Sequence, residues 1–407
     1  MSRMPGLDLL RAIAIVWVML FHSYIVGGIG ERFALLESYG WIGVDLFFVL
    51  SGYLIGSQLL KPLSRGEPLA FGNFYLRRSL RVLPAYLVVL ALYFSMPGFR
   101  EADGIQPLWQ FLTYTVNLLI DYQHNKAFSH VWSLCVEEHF YLVFPLLAWW
   151  LMRRPSMAKF IGVCVAVVLT GMAIRCYVWL HELAPAQSSL EFGLRFVEGI
   201  YYPTYTRLDG LLAGVVLAAI RAFRPAWWDG MQAQANRLLL PTGLAVVALA
   251  MWLFRDRTGL LPSIVGYPLL AAGLALLVAA AAGTRGWLAR LRIPGVEWLA
   301  LVSYSLYLIH KAVFHLVESA LPSRLQSQGL LTFAIYAGAS LLAGALLYYG
   351  AERPFLRLRE QLRSRKAAAV ELPCRRRKPH DADQPLIAKD HLGRSCSGTR
   401  CSSPSTD

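Results

Sequence analysis

The stretch LLRAIAIVWVMLFHSY, residues 9–24, carries only Arg11 and His22 as polar residues before it reaches Ser23. An apolar run of this length is typical of a helix that crosses a lipid bilayer. It contains an arginine and lacks a small-residue cleavage site, so we expect a retained membrane helix rather than a signal peptide. At about 100° per residue, the step from Arg11 to His22 comes within about 20° of three whole turns. It therefore predicts one shared face and an axial separation of about 16 Å.

The composition extends this interpretation to the whole chain. Hydrophobic residues make up 56% of the 407 residues and charged residues only 16%, against about 25% charged in an average soluble domain. We therefore predict an all-α polytopic membrane protein. Its ten expected membrane helices cover residues 7–28, 41–60, 80–96, 131–152, 159–181, 206–222, 237–254, 261–282, 298–318 and 330–350. Residues 108–120 are too few to cross at about 1.5 Å per residue, so we expect an interfacial or re-entrant segment there.

The distribution of positive charge predicts the orientation. With the N-terminus inside, the inner loops contain 13 lysines and arginines and the outer loops 7, which is the bias of cytoplasmic loops. We therefore expect both termini in the cytoplasm and the chain in the inner (plasma) membrane. The same rule accounts for the net charge of +14 without a nucleic-acid partner. We divide the chain into a membrane domain, residues 1–352, and a basic tail, residues 353–407, which we expect to be disordered near the inner leaflet.

The six cysteines indicate neither a metal site nor a disulfide framework. Three lie in apolar segments and three lie in the tail, and their spacing is typical of neither kind of site. We therefore expect no bound metal and no bound cofactor.

Acidic and hydroxyl side chains enter the predicted membrane region at a depth similar to that of His22. Asp45 begins the second predicted helix on the outer side, and Ser133, Glu137 and Tyr141 recur every four residues along one face of the fourth. A carboxylate beside an imidazole fixes its tautomer and stabilises its protonated form, as in a general base. We therefore interpret His22, Asp45 and Glu137 as an acid/base site, with a helix–helix hydrogen bond as the alternative for His22.

Arginines gather at the opposite, inner end of the predicted bundle. Arg78 and Arg81 share a face at the start of the third predicted helix, and with Arg11 they form a candidate phosphate site. A positive-inside flank is the alternative for Arg78, and a snorkelling residue that sets helix orientation is the alternative for Arg11. Arg207 and Asp209 enter the sixth predicted helix from the outer side. They either support the acid/base site or form a structural ion pair, and both interpretations stay open.

Seven stretches, taken in order, resemble the acyltransferase-3 family of integral membrane O-acyltransferases. The resemblance covers nearly all of residues 7–354, and each stretch falls at the expected helix. The stretches are LDLLRAIAIVWVMLFH (7–22), GVDLFFVLSGYLIG (43–56), RRSLRVLPAY (77–86), WSLCVEEHFYL (132–142), TRLDGLLAG (206–214), SYSLYLIH (303–310) and ERPF (352–355). The fourth departs from the family pattern at Cys135 and His139, where relatives often have Ser or Ala and Gln.

The resemblance implies that an acyl group, by default acetyl, is taken from cytoplasmic acyl-CoA as co-substrate. It implies delivery to a hydroxyl of an envelope or exported glycan, such as a lipopolysaccharide sugar. Importance in the family carries over to Arg11, His22, Asp45, Arg78, Arg81, Ser133, Glu137, Arg207, Asp209 and His310. Some relatives carry a fused extracytoplasmic hydrolase-like domain. We find none in this sequence and expect the membrane unit to complete the transfer itself, as a single chain or homo-oligomer, or to pass the acyl group to a partner transferase.

Three alternatives remain open at this point. His22 acts either as the base for direct transfer or as the carrier of an acyl group. The acceptor is either a glycan or a small molecule such as an antibiotic (macrolide-type) sugar. A transporter or glycan flippase also fits ten helices with ionisable residues inside the membrane, although no inverted repeat or pair of broken helices is evident.

Overall fold

The computed structural model describes residues 4–26, 33–320 and 329–362, and every regular element in these ranges is helical. Nine of the helices described there are long and apolar enough to cross a membrane. This confirms the predicted all-α polytopic membrane fold.

Ten principal helices follow one another along the chain. We label them α1 (Pro5–Phe21), α2 (Ile42–Leu63), α3 (Phe71–Ser95), α4 (Trp132–Arg153), α5 (Met157–Val178), α6 (Asp209–Phe223), α7 (Leu240–Leu253), α8 (Tyr267–Ala281), α9 (Val296–Ala320) and α10 (Leu330–Leu347). Short helices lie between them at Ala34–Ser38, Leu108–Leu112, Phe192–Phe196, Pro225–Ala233 and Trp287–Arg290. Single turns of 3₁₀ helix are His22–Val26, Pro97–Phe99, Ser129–Val131, Ala184–Ala186, Thr204–Thr206 and Phe254–Asp256. Wider π-helical turns are Trp179–Leu183, Val197–Tyr201, Ala235–Leu239, Pro262–Gly266 and Tyr348–Glu352.

The sixth predicted membrane helix differs most from expectation. Helix α6 has 15 residues, and at about 1.5 Å per residue it is shorter than the roughly 30 Å hydrocarbon core. A 111° bend then leads into Pro225–Ala233. The bend lies at Arg224, with φ −134° and ψ 60°, because a residue that precedes proline is disfavoured in the helical conformation. Ten spans result only when this bent pair counts as one of them.

The ends of α1 and of the last helix also move from their predicted positions. Helix α1 ends at Phe21, and His22 is its C-cap residue, with φ −81° and ψ 0°. Because every residue from Arg11 to Phe21 is helical, the position of His22 still follows the helical repeat. In residues 108–120 only Leu108–Leu112 is helical, which agrees with a segment that does not cross. Helix continues after α10 as far as residue 362, past the predicted domain boundary. Residues 363–407 of the predicted tail lie outside the described residues.

Close helix contacts place the residues of the site. A Cβ atom on Gly52 would lie 2.0 Å from the carbonyl oxygen of Leu211, and one on Gly214 would lie 2.2 Å from that of Val49. Helices α2 and α6 therefore meet backbone to backbone, as small residues allow in membrane proteins. Helix α1 packs against both α2 and α9, which brings the first and the ninth principal helices together.

Candidate active site

A pair of hydrogen-bonded histidines lies where α1 meets α9. The Nδ1 atom of His22 is 2.9 Å from Nε2 of His310, and Nδ1 of His310 is 2.8 Å from the carbonyl oxygen of Tyr307. A carbonyl oxygen only accepts, so Nδ1 of His310 carries a proton, and Nε2 of the neutral ring accepts. His22 must then donate from Nδ1, which leaves its Nε2 unprotonated and able to act as a base or nucleophile.

A third histidine completes a group that we call the histidine cluster: His22, His130 and His310. The ring of His130 lies 6.3 Å from that of His22 and 5.3 Å from that of His310, measured between centroids. Its Nε2 atom lies 3.2 Å from the carbonyl oxygen of Leu308 on α9. His130 and His310 are buried, whereas His22 is only partly buried. His22 is therefore the member of the cluster that a substrate can reach.

A buried ion pair supports the histidine cluster from the loop after α3. The Nζ atom of Lys311 lies 3.0 Å from Oε1 of Glu101, and both side chains are at most 6% exposed. Glu101 also accepts hydrogen bonds from the Tyr93 hydroxyl and the Phe128 backbone N–H. Burial alone would raise the pKa of Glu101, but Lys311 and His130 outweigh it and lower this pKa to about 2. The carboxylate is therefore ionised and balances the lysine next to His310.

Ser133 reaches the histidine cluster through a tyrosine. Its hydroxyl lies 2.6 Å from the hydroxyl of Tyr307, which in turn donates to the carbonyl oxygen of His130 at 2.8 Å. Tyr307 is also the residue whose carbonyl fixes the tautomer of His310. Ser133 thus holds the backbone on both sides of the cluster rather than contacting His22.

Asp45 does not orient His22, contrary to the sequence-based expectation. Its Oδ1 atom lies 2.7 Å from Nη2 of Arg207, and both side chains are buried. A guanidinium is a stronger partner for a buried carboxylate than a neutral imidazole, because the ion pair balances two charges that would each be costly alone. Among the described residues Asp45 has no hydrogen bond to His22, and His310 takes the position expected for the carboxylate.

Glu137 is also placed away from His22. It accepts a hydrogen bond of 2.6 Å from the Tyr141 hydroxyl, which is in contact with the Ser51 hydroxyl as well. The guanidinium of Arg78 lies 3.7 Å from the centre of the Tyr141 ring. The predicted shared face of Glu137 and Tyr141 is therefore correct, but it points to the arginines and not to the predicted acid/base site.

The three predicted arginines do come together, and we call Arg11, Arg78 and Arg81 the arginine cluster. Glu137 is close enough to interact electrostatically with all three. The nearest carboxylate contacts are long: Arg11 to Asp8 is 3.8 Å and Arg81 to Glu352 is 3.9 Å. Side-chain exposures of 30% and 32% leave Arg11 and Arg81 accessible. The cluster therefore contains cations that no close carboxylate of the described residues neutralises, so they can still bind an anion.

Arg207 and Asp209 form two separate buried ion pairs rather than one with each other. Arg207 binds Asp45, and Asp209 lies 2.8 Å from Arg175 on α5. Arg175 is completely buried, and sequence reasoning missed it. Its position inside an otherwise apolar run was an available signal, because a charge there is costly unless it is paired.

Three further residues escaped prediction: His130, Lys311 and Glu101. Lys311 directly follows His310 inside an apolar helix, so the same intramembrane-charge argument could have found it. His130 and Glu101 come from loop and turn segments, where periodicity does not predict which way a side chain points.

A family profile described as an acyltransferase domain matches residues 4–349 of the chain. The chain belongs to this acyltransferase family. All of α1 to α10 and every residue of both clusters fall inside the matched range. Glu352, the carboxylate near Arg81, lies just outside it. The resemblance drawn from the seven sequence stretches is thereby confirmed.

Two Staphylococcus aureus proteins illustrate the relatives. The chain is 27% identical over 343 residues to "Putative O-acetyltransferase SAS0844", a match that covers 78% of this chain and 52% of that protein. It is 31% identical over 230 residues to "O-acetyltransferase OatA", which covers 53% of this chain and 34% of that protein. The matched part of the chain thus corresponds to about half of the first of these relatives and about a third of the second. The comparison with solved structures found no match.

Proposed function

We propose that this protein is a membrane O-acyltransferase that moves an acyl group, by default acetyl, from cytoplasmic acyl-CoA to a hydroxyl of an envelope or exported glycan. Membership of the acyltransferase family and the O-acetyltransferase names of the relatives support the reaction class. The single observation that carries the proposal is the His22–His310 hydrogen bond of 2.9 Å, because it leaves a basic nitrogen at an accessible position.

In the proposed reaction Nε2 of His22 removes the proton from the acceptor hydroxyl. The alkoxide oxygen attacks the thioester carbonyl, the new ester C–O bond forms, and the C–S bond breaks as the tetrahedral intermediate collapses. The departing thiolate takes the proton back from His22. Throughout these steps Nδ1 of His22 donates a hydrogen bond to Nε2 of His310. The imidazolium form of His22 is thus stabilised by a neutral acceptor rather than by a carboxylate.

The same nitrogen also permits a two-step reaction. Nε2 of His22 then attacks the thioester carbonyl, the C–S bond breaks, and the thiolate leaves. The acceptor hydroxyl attacks the acyl carbon, the C–N bond to the imidazole breaks, and the hydroxyl proton passes to the freed Nε2 and from there to the thiolate or water. Single-turnover reaction with radiolabelled acyl-CoA in the absence of acceptor separates the two routes. Acid-labile label on the wild-type protein that is missing from His22→Gln supports the two-step route, and its absence supports direct transfer.

We assign the phosphates of CoA to the arginine cluster. Arg11 and Arg81 are cationic and about a third exposed, and their carboxylate contacts are long, at 3.8 and 3.9 Å. These properties suit charge-assisted binding of phosphate oxygens. The cluster lies about three helical turns, or about 16 Å, from His22 along α1. An extended pantetheine arm would run along this path, with the arginine cluster at the cytoplasmic end.

Thiol release from acyl-CoA by the full chain in detergent tests the proposal. We expect thiol release that needs an acceptor or water as co-reactant. His22→Ala should lose this release. The control His181→Ala, which changes an exposed histidine on the helix surface, should keep it. Protein that binds a glycan but releases no thiol would instead support a transporter. The mass of the host glycan with and without the gene then identifies the acyl group and the acceptor together.

A further inference from the structure

We infer that the chain contains a site for one anionic oxygen group of the acceptor, built by Arg207, Arg257 and Tyr267 beside the His22 end of α1. The group is either the carboxylate of an acidic sugar or the phosphate of a phosphorylated sugar. The inference rests on the proposed function, because it assigns the site to the acceptor of that reaction.

Among the residues that the structure describes, charge is unbalanced in this part of the bundle. Arg207 is paired with Asp45, and Arg175 is paired with Asp209. Arg257 lies close enough to influence the charge of Asp45, yet no carboxylate of the described residues pairs with it, and its buried Nε has no hydrogen-bond partner there. These five groups therefore carry one excess positive charge in a largely buried place, which an anionic ligand would neutralise.

Hydrogen-bonding capacity is also unused there. Nη1 of Arg207, Nε of Arg257 and the hydroxyl of Tyr267 are buried and have no partner in the described parts of the chain. Oδ2 of Asp45 is a fourth unpaired atom, and it is an acceptor. Buried polar groups in native proteins are usually paired, so several unpaired ones in one part of the bundle indicate a missing ligand. Three donors and one acceptor suit an anion with a neighbouring hydroxyl, which a sugar acid or sugar phosphate provides.

Aromatic rings hold the two guanidinium groups in place. The centre of the Tyr201 ring lies 4.2 Å from the guanidinium of Arg257 and 4.6 Å from that of Arg207. Trp41 lies 4.6 Å from Arg257, and Tyr267 lies 4.2 Å from Arg207. Stacking of this kind fixes the planes of the guanidinium groups while their edges stay available to a ligand. A few polar groups among aromatic walls are typical of a small-molecule site.

The site lies near His22. Arg207 and Tyr267 are each 2% exposed, whereas Arg257 is only partly buried. The guanidinium of Arg257 lies 5.8 Å from the Phe21 ring, whose centre is 5.3 Å from that of His22. One aromatic ring therefore separates Arg257 from the proposed base. An anionic group held at Arg257 leaves the rest of its sugar within reach of His22.

The test measures the melting temperature of the full chain in detergent with glucose, glucuronate or glucose 1-phosphate at constant ionic strength. A ligand that binds only the folded state raises this temperature. We expect a concentration-dependent rise with at least one anionic sugar and none with glucose. A rise with glucuronate alone assigns a carboxylate, and a rise with glucose 1-phosphate alone assigns a phosphate.

Three variants make the result specific. Arg257→Gln should abolish the rise, and Tyr267→Phe, which keeps the ring, should reduce it at least severalfold. Arg255→Gln changes an exposed neighbouring arginine and should keep the full rise. The inference is overturned if neither anion shifts the wild type up to about 50 mM, if glucose shifts it equally, or if Arg257→Gln responds like the wild type.

His22→Ala separates this inference from the proposed function. It should keep the anion-induced rise, because His22 does not contribute to the anion site, while transfer is lost. Persistent transfer with a persistent rise contradicts the role of His22 and leaves the site standing. Lost transfer with no rise in either protein contradicts the site and leaves the proposed function standing.

Discussion

The histidine cluster and the arginine cluster occupy the two ends of one helix, α1, and they are built in opposite ways. Hydrogen bonds of 2.9, 2.8 and 3.2 Å hold the histidines to each other and to backbone carbonyls, and two of the three are almost completely buried. The arginines have carboxylate contacts no shorter than 3.8 Å, and about a third of the Arg11 and Arg81 side chains is exposed. One end is fixed by the protein, and the other remains available to a ligand.

This difference fits the tasks that we propose for the two ends. A proton-transferring group needs one tautomer and one orientation, which the surrounding protein must supply before the substrate arrives. A phosphate site needs unbalanced positive charge, which internal carboxylates would cancel. Substitutions in the histidine cluster should therefore change the rate of the chemical step, and substitutions in the arginine cluster should change substrate affinity.

The largest effect is expected for His22→Ala. Removal of the proposed base should lower the single-turnover rate of acyl transfer by about 10³-fold or more, since general-base catalysis contributes about 10²- to 10⁴-fold. The dissociation constant of acyl-CoA should change less than threefold, because the arginine cluster is intact. A rate within tenfold of the wild type, at equal folded protein, would contradict the role of His22.

Glu101→Gln should be the most destabilising change near the histidine cluster. It leaves the buried Lys311 ammonium unpaired, and breaking a buried pair in this way costs about 3–5 kcal/mol. The double variant Glu101→Gln/Lys311→Met removes both charges and should recover part of the lost stability. Melting in detergent measures both. A double variant no more stable than the single one would show that the loss has another origin.

The pH dependence of this pair has a definite sign. The pKa of Glu101 is lowered to about 2 in the folded protein, below the ordinary value of a glutamate near 4.3. Its contribution to stability is therefore fully present above about pH 4.3 and is lost as the pH falls toward 2. The difference in melting temperature between wild type and Glu101→Gln should be constant from pH 8 to 5 and shrink below that range. A difference that disappears between pH 8 and 6 would contradict an ionised Glu101.

His310→Ala tests positioning rather than direct chemistry. Without the acceptor for Nδ1, His22 loses its fixed tautomer, so kcat should fall by about 10²-fold while KM for acyl-CoA stays within about twofold. His310→Gln can still accept at a similar position and should recover at least part of the rate. Equal loss in both variants would indicate that His310 acts only in packing.

The smallest effect is expected for Arg11→Ala. Loss of one charge-assisted contact to phosphate should raise KM for acyl-CoA roughly 10-fold with kcat within about twofold. The matched control is Arg154→Ala, an exposed arginine outside the cluster. Acyl-pantetheine, which lacks the nucleotide phosphates, should be used equally well by Arg11→Ala and wild type. An equal rise in KM for both substrates would place Arg11 outside the phosphate site.

Local patterns account for much of what the sequence predicts correctly. The hydrogen bond from Tyr141 to Glu137 follows from a spacing of four residues along one helix face. The shared face of Arg11 and His22 is a prediction of the same kind, made from helical periodicity within α1. The class of protein follows from apolar runs whose length matches the bilayer. The break after α6 was also within reach, since Pro225 directly follows Arg224.

The partners of the polar groups were decided by tertiary structure alone. His22 binds a histidine 288 positions away, and Asp45 binds an arginine 162 positions away. Within a bundle of similar helices, depth and facing leave several partners possible for each buried charge. Close packing of α1 on α9 and of α2 on α6 selects among them, because a contact of about 3 Å depends on helix rotation and tilt that periodicity does not specify. The sequence by itself therefore determined the membrane fold and the two polar ends of α1, and the packing decided that a histidine, not a carboxylate, orients His22.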